Sequence, residues 1–240
     1  MKQPMVEYLC EEYLPRCDKI ITICEGLARE YASAYGVRSE VVLSLPFLED
    51  LLPHPVQDGM IRMIHHGIAS RSRRLELMVE TMDYVDERFS LDLMVMPERS
   101  AYWNRLCKMV TERKNVRIIP PIPMKDIVRF TNGYDVGLLL CEPTTLNITY
   151  GLPNKFFEFI QARLALAVGP LVEMKRIVEK YDCGIVSHDF QPRSMAEALN
   201  KLTVGKIMYY KEQSHKASLE LNAEANSGRI AEIVGSLVGN

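Results

Sequence analysis

Short apolar runs alternate along this chain with stretches whose apolar residues recur every three or four positions. The runs at 19–24, 41–45, 60–66, 91–96, 116–119, 135–141, 164–168 and 183–187 have the length and apolar content of strands. Leu27, Ala28, Tyr31 and Tyr35 mark one face of a helix that Gly36 closes, and Leu75, Met78, Val79, Met82 and Val85 mark another. Met174, Ile177, Val178 and Tyr181 repeat the spacing after Leu171, and Ile230, Ile233, Val234 and Leu237 repeat it near the end. From about Met195 the tail reads as helical throughout. Strands alternating with amphipathic helices predict an α/β fold with a doubly wound parallel sheet covered on both faces.

Residues 46–57 interrupt the alternation with Pro46, Pro53 and Pro55, which hold the backbone in extended or turn geometry and read as a linker. Residues 1–45 carry two strands and about two helices, too little for a sheet buried on both faces. They are expected to be the incomplete end of an α/β unit. Residues 58–203 carry six strands, enough for a complete doubly wound sheet, and 204–240 are expected to add C-terminal helices.

A chain of 240 residues, 48% hydrophobic and 25% charged, is long and apolar enough to bury one large or two modest cores. Its net charge of −2 supplies no broad positive field, which argues against nucleic acid as a partner and leaves cations to be argued locally. The six cysteines show no C-x-x-C spacing, so reduced thiols and a cytoplasmic location are expected. The longest apolar runs fall far short of the roughly 18 residues of a membrane span. Peripheral membrane contact stays open.

The chemistry concentrates in Leu152-Pro153-Asn154-Lys155-Phe156-Phe157-Glu158, a helix start carrying a cation and, one turn in, a carboxylate. Free amides and the positive end of the helix dipole favour a phosphate at Asn154 and Lys155, and Glu158 can accept two hydroxyls of a ribose. The plainer readings are a simple cap and an intrahelical Lys155–Glu158 pair. Gly67, with Arg71, Arg73 and Arg74 beyond it, falls at the carboxyl edge of the first strand of the larger unit, where such sheets bind ligands. Three arginines so close can also form a solvated face. His65 and His66 point to opposite faces of a strand and cannot readily clamp one metal ion. Tyr102 and Trp103 read as helix packing residues.

The run from Cys17 to Cys24, Tyr35-Gly36-Val37, Leu45-Pro46, Gly67 with its arginines, Tyr134-Asp135-Val136-Gly137 and the 152–158 run resemble, in that order, the glycosyltransferases of the GT-B fold, particularly the family 4-like group. The resemblance covers most of the chain and implies a donor-binding domain with the end of an acceptor-type domain. It implies metal-independent, retaining transfer of a sugar from a nucleotide-diphosphate sugar to an acceptor hydroxyl, without a cofactor. A partner chain completing the acceptor side is one option. Glu158 then matches the ribose-binding glutamate, Lys155 and Asn154 the diphosphate-binding helix start, Gly67 the close-approach glycine, and Arg71 and Arg74 the two cations. His66, Asn147 and Tyr150 are candidates for the donor-sugar pocket. Many relatives carry a second glutamate eight residues before the ribose-binding one; here Tyr150 stands there, with Asn147 or Glu142 as possible substitutes. A nucleotide-binding or partner-binding module without catalysis is the other reading, and a sugar-nucleotide epimerase a remoter one.

Overall fold

The computed structural model describes residues 4–57 and 59–238. The chain runs α1 (Pro4–Tyr13), β1 (Ile20–Thr22), α2 (Glu25–Tyr35), β2 (Ser39–Val41), β3 (Ile61–Ile68), α3 (Leu75–Thr81), β4 (Phe89–Met96), α4 (Ala101–Thr111) and β5 (Val116–Ile119). It continues through α5 (Ile127–Thr131), β6 (Val136–Leu139), α6 (Leu146–Thr149), α7 (Asn154–Gln161), β7 (Ala165–Val168), α8 (Val172–Tyr181), β8 (Gly184–Val186), α9 (Pro192–Asn200), α10 (Val204–Glu220) and α11 (Ala223–Val238).

Six strands form one parallel sheet in the order β5-β4-β3-β6-β7-β8. The chain therefore builds outward from β3 in one direction, then returns to the middle at β6 and builds outward in the other. Along β3, Ile61 and Met63 face one side while Ile64 and His66 face the other, as a two-residue period requires. The first side packs Leu75 and Met78 of α3, Leu106 and Val110 of α4 and Met195 and Leu199 of α9. The second packs Val128 of α5, Phe156, Phe159 and Ile160 of α7, and Met174 and Val178 of α8. Phe156, Phe159 and Ile160 are fully buried, each contributing about 1.5–3 kcal/mol through apolar area removed from water. The doubly wound α/β sheet expected from the alternation is present.

Several element bounds differ from the sequence reading. The second strand is Ser39–Val41 rather than 41–45, because its register against β1 runs from Ile20↔Ser39 to Thr22↔Val41 and, after the Val42 amide donates to the Thr22 carbonyl, the ladder ends among the described residues. Leu43 and Leu45 pack against the core instead. The helix marked by Leu75 to Val85 stops at Thr81, and Val85 packs on the core from the turn that follows. The tail is broken twice. Thr203 accepts from the Lys206 amide to start α10, and Asn222 Oδ1 accepts from the Ala225 amide at the start of α11.

Residues 46–57 form no helix or strand and are pinned by side chains of the larger unit. Arg163 donates to the carbonyls of Glu49 (2.6 Å) and Leu51 (3.2 Å), and Asn132 donates to that of Leu52 (3.0 Å). α11 returns to the N-terminal strands, with Asn226 donating to the Leu43 carbonyl and Arg229 paired with Glu40 at 2.8 Å. Among the described residues no helix is long and apolar enough to cross a membrane, and all six cysteines are unpaired.

Candidate functional site

The site begins with a splay in the sheet. β3 stays in register with β4 out to Ile68↔Met96, whereas its ladder with β6 ends at Ile64↔Gly137. The strands part at the position where the strand order reverses, the place at which doubly wound sheets open a ligand crevice. The parting leaves the Leu138 carbonyl without a β3 amide, and the buried His65 ring fills the gap, with Nδ1 2.9 Å from that oxygen. A carbonyl only accepts, so Nδ1 carries the proton and Nε2 is an acceptor. Burial, and then the Lys155 charge, hold the His65 pKa well below 6.5, so the ring is neutral.

Lys155 lies in the first turn of α7, whose N-cap residue is Pro153, one place earlier than a first-turn proline. No described side chain caps the helix, so its positive end stays available to an anion. The Lys155 side chain crosses the strand edge to place Nζ 3.2 Å from His65 Nε2. Its pKa is lowered to about 8, chiefly by burial and then by the Arg73 charge, with Glu158 and Cys141 acting the other way.

A cavity of about 330 Å³ opens above this edge, within the size range of small-molecule sites. His65, Ser72, Arg73, Cys141, Thr145, Asn147 and Lys155 are its polar lining, and Ile148, Leu152, Leu171 and Met174 its apolar lining, with Ile23 contributed by the N-terminal segment. Two cations and a helix start face it, and no Asp or Glu lines it. That arrangement suits a compact anion attached to a partly apolar group.

The sequence-derived candidates divide. Lys155 and Asn147 line the cavity, whereas Gly67 is not a lining residue and its backbone lies against Lys155 Nζ. Arg71 and Arg74 do not line it. Arg74, in the left-handed conformation at φ 50°, is held by Glu142 at 2.6 Å and Glu76 at 2.9 Å, and with Arg71 it lines a separate hollow beside Tyr102 and Arg105. The cation that the arginine cluster turns into the cavity is Arg73, one residue from the position assigned by resemblance.

His66 is also not a lining residue; His65 is. The strand runs on to Ile68, and His66 packs its ring edge-on against Phe159 with Nε2 3.3 Å from Glu158 Oε2. That Nε2 has no hydrogen-bond partner among the described residues. Burial, then the Lys155 charge, lower the His66 pKa to about 3, and burial raises that of Glu158. Glu158 is 14% exposed and stands beside His66 rather than on the cavity wall.

Tyr150 turns away as well. Its ring lies over Gly26 of α2 and its hydroxyl donates to Glu30 at 3.0 Å. Glu142 is committed to Arg74, and Asn154 sits at the helix start with Oδ1 3.2 Å from the Ser44 hydroxyl. Tyr102 and Trp103 fall in α4. Trp103 packs on the core, while the Tyr102 hydroxyl accepts from the Leu75 amide and donates to Glu76, capping α3.

No protein-family model matches the chain, and no curated protein matches it by sequence. Solved structures do. A glycine-to-arginine mutant of S. aureus TarM, crystallised with fondaparinux, α-GlcNAc-glycerol and UDP, aligns over 96% of this chain and 46% of its own, at 11% identity and a TM-score of 0.76. Anabaena HepE, crystallised with UDP and glucose, aligns over 97% and 66%, at 12% identity and a TM-score of 0.76. Sucrose-phosphate synthase from Thermosynechococcus elongatus aligns over 99% and 62%, at 15% identity and a TM-score of 0.79. The chain thus has the GT-B glycosyltransferase fold and spans less than two-thirds of the length of these three proteins.

Proposed function

We propose that the chain is the nucleotide-sugar-binding part of a glycosyltransferase and that the cavity between β3, β6 and α7 holds the diphosphate of the donor. The observation that carries this reading is the meeting of Arg73, Lys155 and the start of α7 on a cavity wall without a carboxylate. Arg73 and Lys155 grip the two phosphates, and the α7 amides add a dipole that needs no reorganisation as charge develops on the leaving group. Fixed cations in that role make metal-independent transfer, without a cofactor, part of the proposal. The apolar floor at Leu171 and Met174 and the polar Thr145 and Asn147 take the sugar. Glu158, reached from the side of His66, takes the ribose. The acceptor hydroxyl enters past Ile23, where an acceptor-type half, in the same protein or in a partner chain, encloses it.

Tyr150 supports a second reading, a binding module that does not turn over. Its side chain is spent on Gly26 and Glu30, so the donor sugar meets no carboxylate at that place.

Calorimetric titration of wild type, Lys155→Met and Glu158→Ala with UDP, GDP and their sugars tests the binding reading. Loss of a hydrogen-bonded charge predicts a fall of roughly 10- to 100-fold in affinity for Lys155→Met. Equal affinity in wild type and Lys155→Met overturns the diphosphate assignment. Release of free nucleoside diphosphate over many turnovers, with the sugar passing to an acceptor hydroxyl or to water, separates the enzyme from the module.

A further inference from the structure

The cavity's central cation has a partner of an unusual kind. An ammonium enclosed in protein is ordinarily met by a carboxylate, which would cancel the charge a phosphate needs. Lys155 Nζ instead meets His65 Nε2 at 3.2 Å, and the Leu138 carbonyl, 2.9 Å from Nδ1, fixes the ring in the tautomer that accepts. The vacancy at Gly67 completes the arrangement, since a Cβ there would stand 2.6 Å from Nζ.

We infer that His65 is a positioning residue for the anion site: it orients the Lys155 ammonium by a neutral hydrogen bond and leaves its positive charge unspent for the ligand phosphate. This inference rests on the diphosphate reading above. The groups facing Lys155 are His65 and His66 on β3, Arg73 in the turn beyond it, Cys141 after β6 and Glu158 on its own helix. Arg73 lowers the tendency of Lys155 to hold its proton and Glu158 raises it. His65 acts on the same balance by stabilising the protonated form, which is the one that donates.

In the wild type the affinity for UDP or GDP falls as pH rises through about 8, where free Lys155 loses its proton. His65→Phe keeps the ring volume and removes the acceptor, so the ammonium is less favoured and the fall moves to lower pH by about one unit. His65→Glu supplies a carboxylate, so the fall moves upward, while the affinity below it drops because the charge is now paired. Titration of the Lys155 ¹³Cε shift by NMR in the free proteins, assigned with Lys155→Arg, reads the same displacements without any ligand. Circular dichroism confirms which variants are folded.

Displacement in opposite directions by Phe and Glu is the expected result. A Lys155 titration that stays at the wild-type pH in folded His65→Phe and His65→Glu overturns the positioning role, whatever happens to stability. Failure of the diphosphate reading looks different: Lys155 still titrates and responds to His65, but Lys155→Met binds UDP and GDP as the wild type does.

Discussion

Lys155 Nζ occupies the space that a side chain on Gly67 would need: a Cβ built there lies 2.6 Å from Nζ and 3.2 Å from Cε. Gly67 also has a φ of 131°, a backbone region that L residues rarely adopt. Gly67→Ala therefore meets two penalties. Unfolding in urea is expected to show a loss of about 1–3 kcal/mol from backbone strain, and calorimetry a weaker diphosphate site because the ammonium is displaced. Wild-type stability together with wild-type affinity would refute the close approach.

Arg163 is almost fully buried at 1% exposure and donates to the carbonyls of Glu49, Leu51 and Gln161 and to His215 Nδ1. It ties the extended segment at 46–57 to the end of α7. Arg163→Met leaves these carbonyls without a donor, and each orphaned group costs about 1–3 kcal/mol where water cannot replace it. Arg163→Lys is expected to rescue little, because one ammonium cannot span acceptors matched to a planar fork. Chemical denaturation measures the loss, and early proteolytic cleavage within 46–57 locates it. Unchanged resistance to protease in Arg163→Met would mean the segment is held by other contacts.

The sheet was readable from sequence because its central strands are buried on both faces, so β6 and β7 stand out as apolar runs at 135–141 and 164–168. The site was readable only to within a residue. Composition shows three arginines at 71, 73 and 74, but which one enters the crevice depends on the left-handed turn at Arg74, which sends that side chain to Glu76 and Glu142. Alternation separates His65 from His66, yet only the early end of the β3–β6 ladder, a property of two strands distant in sequence, reveals which of them meets Lys155. Tyr150 likewise had no local signal for its role. Its partner Gly26 lies far away in sequence, and it is the missing Cβ there that admits the ring.

That contact gives a further prediction. A Cβ on Gly26 would come within 2.1 Å of the Tyr150 ring, and the Gly26 amide donates to the buried Glu173 at 2.8 Å. Gly26→Val forces the ring off α2 and breaks the seat of the N-terminal segment on the larger unit. Hydrogen exchange is expected to rise in α2 and at 145–151 while the six-stranded sheet keeps its protection. The double variant with Tyr150→Ala restores space and should recover part of the lost protection. Exchange that rises evenly through the sheet would show that the two parts do not separate at this seam.

Lys155 should weaken the fold that holds it. Its folded pKa of about 8 lies below the 10.5 of the unfolded chain, so between these values the unfolded state binds more protons and stability rises with pH. At pH 7 the lysine is charged in both states and the full cost of enclosing it is present; above 10.5 it is neutral in both and the cost is gone. Lys155→Met keeps the stem and removes the charge, so it is expected to stabilise the protein at pH 7 by on the order of 2–3 kcal/mol. The advantage should shrink as pH rises from about 8 and vanish near 10.5. Urea unfolding of both proteins across that range measures it. A variant that is more stable at pH 7 and binds no diphosphate identifies a cation kept for its ligand at the expense of the fold. A Lys155→Met protein less stable than wild type at pH 7 would instead make the lysine a structural partner of His65.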